Sequence, residues 1–386
     1  MTSRDLVFPN NEETLASVVN SIAEGVVVAD KSGRFRYFNP VAQEILGFGS
    51  MAADPADWSE LYGCYRPDER TPYLSEDLPL ARALVGEEVS DEVVFIRNPM
   101  RPEGLFINVT AGPIWGADGS AEGGTAIFRD ITDQVRHSEQ DSEVRIAQAL
   151  QQRYYSSAFV VPGYDITGAV FPVTDTCGDY YDVFGMCDGF VGLVVADVTG
   201  HGIGSALVVA ETRALLRAFA KTESDPCVLM DLLNRDLYRD LDDHHFVTMV
   251  LVRLDPRHHE LKYSSAGHVS GYVLDRFGDV KRTMESTGIP LGVMEDYEYC
   301  QCGTMEIAFM DMVVLISDGI EEARSRDRTE FGVDGMLETI KLQRRATSSE
   351  IISDLYRSVR EFAAPLKQQD DITSVICKGH VAARKQ

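Results

Sequence analysis

The stretch that most constrains this chain runs from Cys177 to Leu207, CGDYYDVFGMCDGFVGLVVADVTGHGIGSAL. Two runs rich in aromatic and branched residues, Tyr180 to Met186 and Phe190 to Ala196, flank Cys187-Asp188-Gly189, and that turn chemistry predicts a β-hairpin. Folding at Asp188 sets positions equidistant from it opposite one another, so Asp179 faces Asp197. Directly opposed side chains in an antiparallel pair have Cβ atoms about 4.5–5.5 Å apart, and two carboxylates there repel unless a positive charge separates them. A hard divalent cation answers that need, because magnesium and manganese take oxygen ligands from one or two carboxylates and keep several waters. Two solvated strand-end aspartates would fit the same pattern. The glycines of Gly200-His201-Gly202-Ile203-Gly204 favour the cation: they let the backbone turn sharply out of the strand, leaving carbonyls and amides beside Asp197 before a helix begins near Ile203.

"CGDYYDVF" followed by "ADVTGHGIGSAL" resembles the signature of the metal-dependent protein phosphatases (PPM family), in its bacterial RsbU/SpoIIE-type branch. Later segments continue the resemblance in order: FVTMVLVRLD from Phe246, SSAGHVSGYVL from Ser264, GIPLGV from Gly288, VVLISDGIEEA from Val313 and DDITSVI from Asp370. Ordered matches of this kind are far more specific than a lone glycine motif.

At 386 residues, with 44% hydrophobic and 25% charged residues, the chain has room for two or three globular domains. Its net charge of −25 argues against a phosphate backbone or an anionic membrane as partner. No long apolar run and no basic, apolar leader occurs, so a cytoplasmic protein is expected. The seven cysteines lack zinc-ligand spacing and read mostly as buried or incidental thiols.

Towards the amino terminus, an amphipathic helix is expected from Glu12 through Ile22, then a hairpin of Gly25–Asp30 and Arg34–Phe38, then a helix through Ala42, Ile45 and Leu46. "SIAEGVVVADKSGRFRYFNPVAQEILGF", EDLPLARALVGEEVSDEVVFIR from Glu76, FINVTAGPIWGADGSAEGGTAIFRDIT from Phe106 and the closing Asp130-Ile131-Thr132 resemble a PAS domain over residues 12–133. That resemblance implies an antiparallel sheet with flanking helices, serving as sensor, dimerisation unit or both. No histidine precedes His137, and Cys64 lies outside any flavin-adduct context, so no PAS cofactor is expected. Trp58 and Trp115 would line a cavity or simply fill the core.

Residues 134–157 read as a linker helix whose apolar stripe begins at Ile131 and Val135, lapses through Ser138, Gln140, Asp141 and Ser142, and resumes at Ile146 and Leu150. As a coiled coil it is weak, and a solvated spacer is the alternative. For residues 158–380 the resemblance implies the PPM αββα sandwich, giving an α+β multi-domain protein. In the family, the positions matching Asp179, Asp197, Asp318 and Asp370, with the carbonyl of Val198, bind two Mn2+ or Mg2+ ions, and the one matching Asp197 bridges both. All four aspartates fall at expected strand edges; Asp371 adjoins Asp370 and competes with it as ligand. Asp179 and Asp197 are the catalytic candidates, and Gly178, Gly200, His201 and Gly202 the candidate phosphate or substrate contacts. A metal-activated water would attack phosphorus in line, with no covalent intermediate. His201 and His268 are candidate proton donors, or else structural residues in Gly-flanked turns. The resemblance implies a PAS-regulated serine/threonine phosphatase acting on a phosphorylated STAS-domain anti-sigma factor antagonist, and a homodimer formed through the PAS domain and linker helix. The alternative is a catalytically silent phosphatase-like scaffold that only binds the regulator.

Overall fold

Period-two alternation, broken by glycine-containing turns, gives this chain its antiparallel sheets, between which helical stretches of comparable extent are set. A computed structural model describes residues 19–155, 159–200, 202–242, 244–299 and 303–379, and divides the chain into two compact units, Met1–Asp141 and Ser142–Gln386. The helix expected from Glu12 lies outside the described residues except at its end, as do His201 and the Cys300-Gln301-Cys302 segment.

The first unit contains β1 (Gly25–Asp30), β2 (Phe35–Phe38), α1 (Pro40–Leu46), α2 (Trp58–Tyr62), β3 (Cys64–Tyr65), α3 (Pro79–Leu84), β4 (Val89–Asn98), β5 (Arg101–Trp115) and β6 (Ala121–Asp130). Its antiparallel sheet has the order β2-β1-β6-β5-β4-β3. Asn39 is the N-cap that starts α1, its side-chain oxygen accepting from the amides of Ala42 at 2.8 Å and Val26 at 2.9 Å. Helices and sheet enclose an apolar cavity of about 90 Å³ lined in part by Phe35, Trp58 and Tyr62. Trp58 therefore both packs the core, stacked on Phe35 at 5.2 Å, and lines the cavity; Trp115 does neither and lies exposed.

The sequence Asp130-Ile131-Thr132 launches α4 (Thr132–Tyr155): Asp130 accepts from the Thr132 amide at 2.8 Å, and Ile131 packs on Phe95 and Phe106. Thereafter come β7 (Tyr164–Phe171), β8 (Asp179–Gly185), β9 (Val191–Val198), α5 (Ile203–Phe219), α6 (Pro226–Asp240), β10 (Val247–Asp255), β11 (Glu260–Ala266), β12 (Gly271–Leu274), β13 (Val280–Met284), β14 (Gly303–Glu306), β15 (Met312–Ile316), α7 (Asp318–Glu321), α8 (Gly332–Leu342), α9 (Ser348–Ala363) and β16 (Ile372–Gly379).

These strands form two five-stranded antiparallel sheets, β14-β11-β10-β9-β8 and β13-β12-β15-β16-β7. Leu193, Val195, Val250 and Val252 of the first meet Val313, Leu315 and Val375 of the second in a shared core. The alternate residues point the other way: Val194, Ala196 and Leu251 pack on Val209, Leu216 and Leu233 of α5 and α6, while Val314, Ile316 and Ile376 pack on Met336, Ile340 and Leu355 of α8 and α9. Strands buried on both faces explain why VGLVVADV and MVVLI read as nearly continuous apolar runs. The result is the four-layer αββα sandwich that the resemblance implies.

Candidate metal centre

The hairpin of β8 and β9 turns through Cys187-Asp188-Gly189, where Asp188 has φ 58° and Gly189 φ 78°. Its register pairs Asp179 with Asp197, and Thr248 of β10 lies on the other side of Asp197. In the second sheet the end of β15 pairs with the start of β16, Ile316 opposite Ser374. Asp318, two residues past the end of β15, and Asp370, two residues before the start of β16, therefore emerge together. Gly319 is required there, because a Cβ on it would stand 2.0 Å from the Asp371 carbonyl oxygen and 3.4 Å from the Asp370 Cβ.

Electrostatics ties the two pairs into one centre. Asp179 is only 2% exposed, and its Oδ2 is buried without a hydrogen-bond partner. Burial first, and then the facing Asp197, pushes its carboxyl well above the ordinary range. Burial raises Asp197 to about 7, with further contributions from Asp318, Asp370 and Asp371. Burial likewise raises Asp318 and Asp370; Asp370 is the next contributor for Asp318, and Glu322 adds to both. A buried carboxylate oxygen without a hydrogen-bond partner, among crowded like charges that the nearby Thr373 and Ser317 hydroxyls only partly offset, is the environment that a bound cation relieves.

A Cβ placed on Gly178 would stand 2.9 Å from the Val198 carbonyl, 3.3 Å from that of Gly200 and 3.6 Å from Asp197 Oδ1, so these oxygens converge beside the hairpin's open end. The donor set thus fits a hard, oxygen-seeking divalent ion. Among the described residues no three His, Cys, Asp or Glu side chains are drawn together closely enough to hold a metal ion by themselves, so the fit rests on the facing carboxylates and the backbone carbonyls beside them. Gly200 at φ 91° and Gly202 at φ 90° carry the chain from β9 into α5 through backbone conformations that favour glycine.

Asp371 has a different task from Asp370. Its Oδ1 accepts from the Val173 amide at 2.7 Å, and its Oδ2 from the Cys177 thiol at 2.9 Å and the Gly178 amide at 3.1 Å. The Gly178 N–H, expected to face substrate, is thus engaged within the protein. Among the described residues Asp370 Oδ1 accepts from the amide of Asp371 at 2.8 Å, and its charge bears on Asp318. Cys177 occupies a place where the family usually has glycine; its thiol is buried and pushed strongly upward by desolvation, then by Asp179 and Asp371, so it serves as a hydrogen-bond donor and not a nucleophile.

Sequence reasoning missed Gln151. Its side-chain amide donates to the Cys177 carbonyl at 2.7 Å while its oxygen accepts from the Cys177 amide at 3.0 Å. One turn on, the Tyr155 hydroxyl donates to the Asp179 carbonyl at 2.8 Å, and Tyr181, stacked on Tyr155, donates to its carbonyl at 2.9 Å. The last turn of α4 therefore holds the backbone on both sides of Gly178. Nothing in the spacing of a polar helix announces such a clamp.

His268 is buried, and its Nε2–H donates to the Ile316 carbonyl at 2.9 Å while Nδ1 accepts from the Thr248 hydroxyl at 2.8 Å. It joins the two sheets as a neutral ring, its pKa lowered from 6.5 to about 4 by burial. Between those values the unfolded chain takes up a proton that the folded protein refuses, so this residue's contribution to stability is complete above about pH 6.5 and declines as pH falls towards 4. In urea unfolding, the stability advantage of wild type over His268→Gln should shrink by roughly 1–3 kcal/mol between pH 7 and pH 5. An unchanged gap would show that the ring is already charged in the folded state.

The chain matches known proteins in both units. The family described as Stage II sporulation protein E (SpoIIE) matches residues 188–380, and that described as PAS fold matches residues 19–136. The phosphoserine phosphatase RsbU of Bacillus subtilis (strain 168) is 28% identical over 249 residues, covering 62% of this chain and 71% of that protein. The phosphoserine phosphatase RsbP of the same organism is 24% identical over 182 residues, covering 46% of this chain and 45% of that protein, so the match spans under half of RsbP. Among solved structures, the SiaA-PP2C domain of Pseudomonas aeruginosa superposes with a TM-score of 0.55 at 20% identity, covering 63% of this chain and 98% of that domain. That likeness places the carboxyl-terminal unit in the PP2C-type phosphatase fold. No helix among the described residues is long and apolar enough to cross a membrane.

Proposed function

This chain belongs to the family of Stage II sporulation protein E (SpoIIE) and carries a PAS fold ahead of that match; from this we propose that it is a PAS-regulated, metal-dependent serine/threonine protein phosphatase. Its substrate would be a phosphorylated regulator of the STAS-domain antagonist type, with the PAS sensor at 12–133, a linker helix at 134–157 and the phosphatase domain at 158–380. The observation that carries the reading is the Asp179–Asp197 pair, with an unpartnered buried oxygen on Asp179 and with Asp318 and Asp370 beside it. The names of RsbU and RsbP support phosphoserine as the group acted on.

Asp179, Asp197, the Val198 carbonyl, Asp318 and Asp370 would hold two divalent ions, Mn2+ or Mg2+. Bound there, the ions would supply an activated water and neutralise charge on the phosphoryl oxygens. The protein's own part is to fix the carboxylates. The hairpin register sets Asp179 against Asp197, Asp371 fastens the loop before Asp179 to β16, and the Gly200–Gly202 turn leaves backbone groups at the rim for the incoming phosphoryl group. Asp370 rather than Asp371 is the ligand in this reading, because both Asp371 oxygens are already occupied by the loop.

Regulation would enter through α4. Its last turn grips the backbone at Cys177 and Asp179, so a shift of the helix would move the first carboxylate of the centre. Ile146 and Leu150, one turn apart, lie exposed on that helix and supply a seam for a homodimer. Ser138 and Ser142 are exposed where the stripe lapses, whereas the side chains of Gln140 and Asp141 lie outside those described. An interrupted seam leaves paired and separated helices close in free energy, so a signal of a few kcal/mol suffices to switch them.

Purified protein is expected to hydrolyse a phosphoserine protein only with manganese or magnesium, and Asp197→Asn or Asp318→Asn should lower the rate about 10²-fold or more. Full turnover in EDTA, or in both variants, would sink the assignment. Gln151→Ala strands the two Cys177 backbone groups, a loss of roughly 1–3 kcal/mol in holding the hairpin's start. The metal concentration for half-maximal activity should then rise about tenfold. An unchanged metal titration would leave α4 as a spacer. Replacing Ser138 and Ser142 with leucine should tighten the dimer in sedimentation and alter turnover at the same time. Tightening without a change in turnover would separate dimerisation from control.

A further inference from the structure

Beside Asp370 lies a second concavity, of about 140 Å³, whose wall includes Asp370 and Gly319 and whose floor is apolar, from Val359, Ala363 and Ile372. Arg324, Arg360 and Lys367 line it, an unusual gathering in a chain of net charge −25. Arg324 is paired with Glu330 at 2.8 Å, and Arg360 donates to the Leu366 carbonyl at 3.4 Å. Lys367 is exposed and has no carboxylate partner among the described residues. Glu322 also faces the cavity, but it lies close enough to Asp318 and Asp370 to raise both, which allies it with the acidic centre. Gln368 fixes the wall, its amide donating to the Phe171 carbonyl at 2.6 Å and to the Asp370 carbonyl at 2.9 Å. The cations are thus held on a built surface that shares a residue with the centre.

We propose that this basic cavity is the specificity site of the phosphatase, accepting a glutamate or aspartate side chain that neighbours the phosphoserine in the substrate protein. The inference rests on the phosphatase reading of the adjacent centre and deepens it. A volume near 140 Å³ suits one side chain, well below the roughly 300–1,000 Å³ of whole-ligand sites. The Arg360 guanidinium and the Lys367 ammonium, neither paired with a carboxylate among the described residues, offer an incoming carboxylate more than one charge-assisted hydrogen bond. A tenfold preference corresponds to about 1.4 kcal/mol, which two partly exposed ion pairs can supply. The site also counters a general difficulty for this molecule, since an acidic protein otherwise repels an acidic phosphoprotein.

The test uses the full-length chain with manganese and two fluorescent peptides that carry a non-hydrolysable phosphonate in place of the phosphoserine phosphate, one with glutamates beside it and one with glutamines. Wild type should bind the glutamate peptide about tenfold more tightly by anisotropy. In Lys367→Gln and in Arg360→Gln the ratio of the two affinities should fall towards one. Lys367 is exposed, so its variant should fold even if the half-buried Arg360 variant does not. Equal binding of the peptides by wild type, or a preference that survives in Lys367→Gln, overturns the proposal. Hydrolysis of the matching phosphoserine peptides, followed in parallel, judges the catalytic reading separately. Preference without hydrolysis upholds the cavity and overturns the phosphatase; hydrolysis without preference does the reverse.

Discussion

The repulsion between Asp179 and Asp197 is the interaction on which the rest of the centre depends. The hairpin register forces the two carboxylates opposite one another, and the burial of Asp179, with Asp197 half-buried beside it, removes much of the water that would otherwise screen them. A sheet that holds such a pair needs support from every side. Helices α5 and α6 cover one face of the first sheet, the second sheet covers the other, and β10 flanks β9 within it. Stability invested in these apolar layers is what lets an unfavourable polar arrangement persist at one end of the sandwich.

Three polar ties then fix that end. Asp371 fastens the loop before Asp179 to the start of β16, His268 links β10 to the end of β15, and Gln151 with Tyr155 joins the last turn of α4 to the hairpin. The first two connect the sheets to each other and so govern the spacing between the Asp179–Asp197 pair and the Asp318–Asp370 pair. The third connects the same strand to a helix that begins in the other unit. That contact falls on the backbone of Cys177 and Asp179 and leaves the Asp179 carboxylate itself untouched.

Acidic and basic groups also adjoin one another. The carboxylates crowd at the strand ends, and Arg324, Arg360 and Lys367 gather in the neighbouring concavity formed by the end of α9 and the segment after α7, which Glu322 and Asp370 share with them. Opposite charges set side by side in this way give the proposed centre and the proposed substrate contact a common edge at Asp370.

Local chemistry in the sequence determined a good deal. The turn at Cys187-Asp188-Gly189 set the hairpin register and hence the facing of Asp179 and Asp197, and the doubly buried apolar runs marked the strands of the sandwich. These features are legible because turn geometry and side-chain period act over a few residues. What the sequence left open was settled by contacts between residues far apart in the chain. Asp370 and Asp371 are indistinguishable as neighbours in a string, yet opposite sides of one strand's entry give one a place beside Asp318 and the other three hydrogen bonds to residues 173–178. Trp58 and Trp115 likewise read alike, and only helix and sheet packing buried the first and exposed the second. Gln151 sits in a polar helix with nothing to set it apart until α4 comes to lie against Cys177. Period and turn chemistry specify what a segment becomes; which long-range partner satisfies each buried polar group is decided only when the layers close and water is excluded from between them.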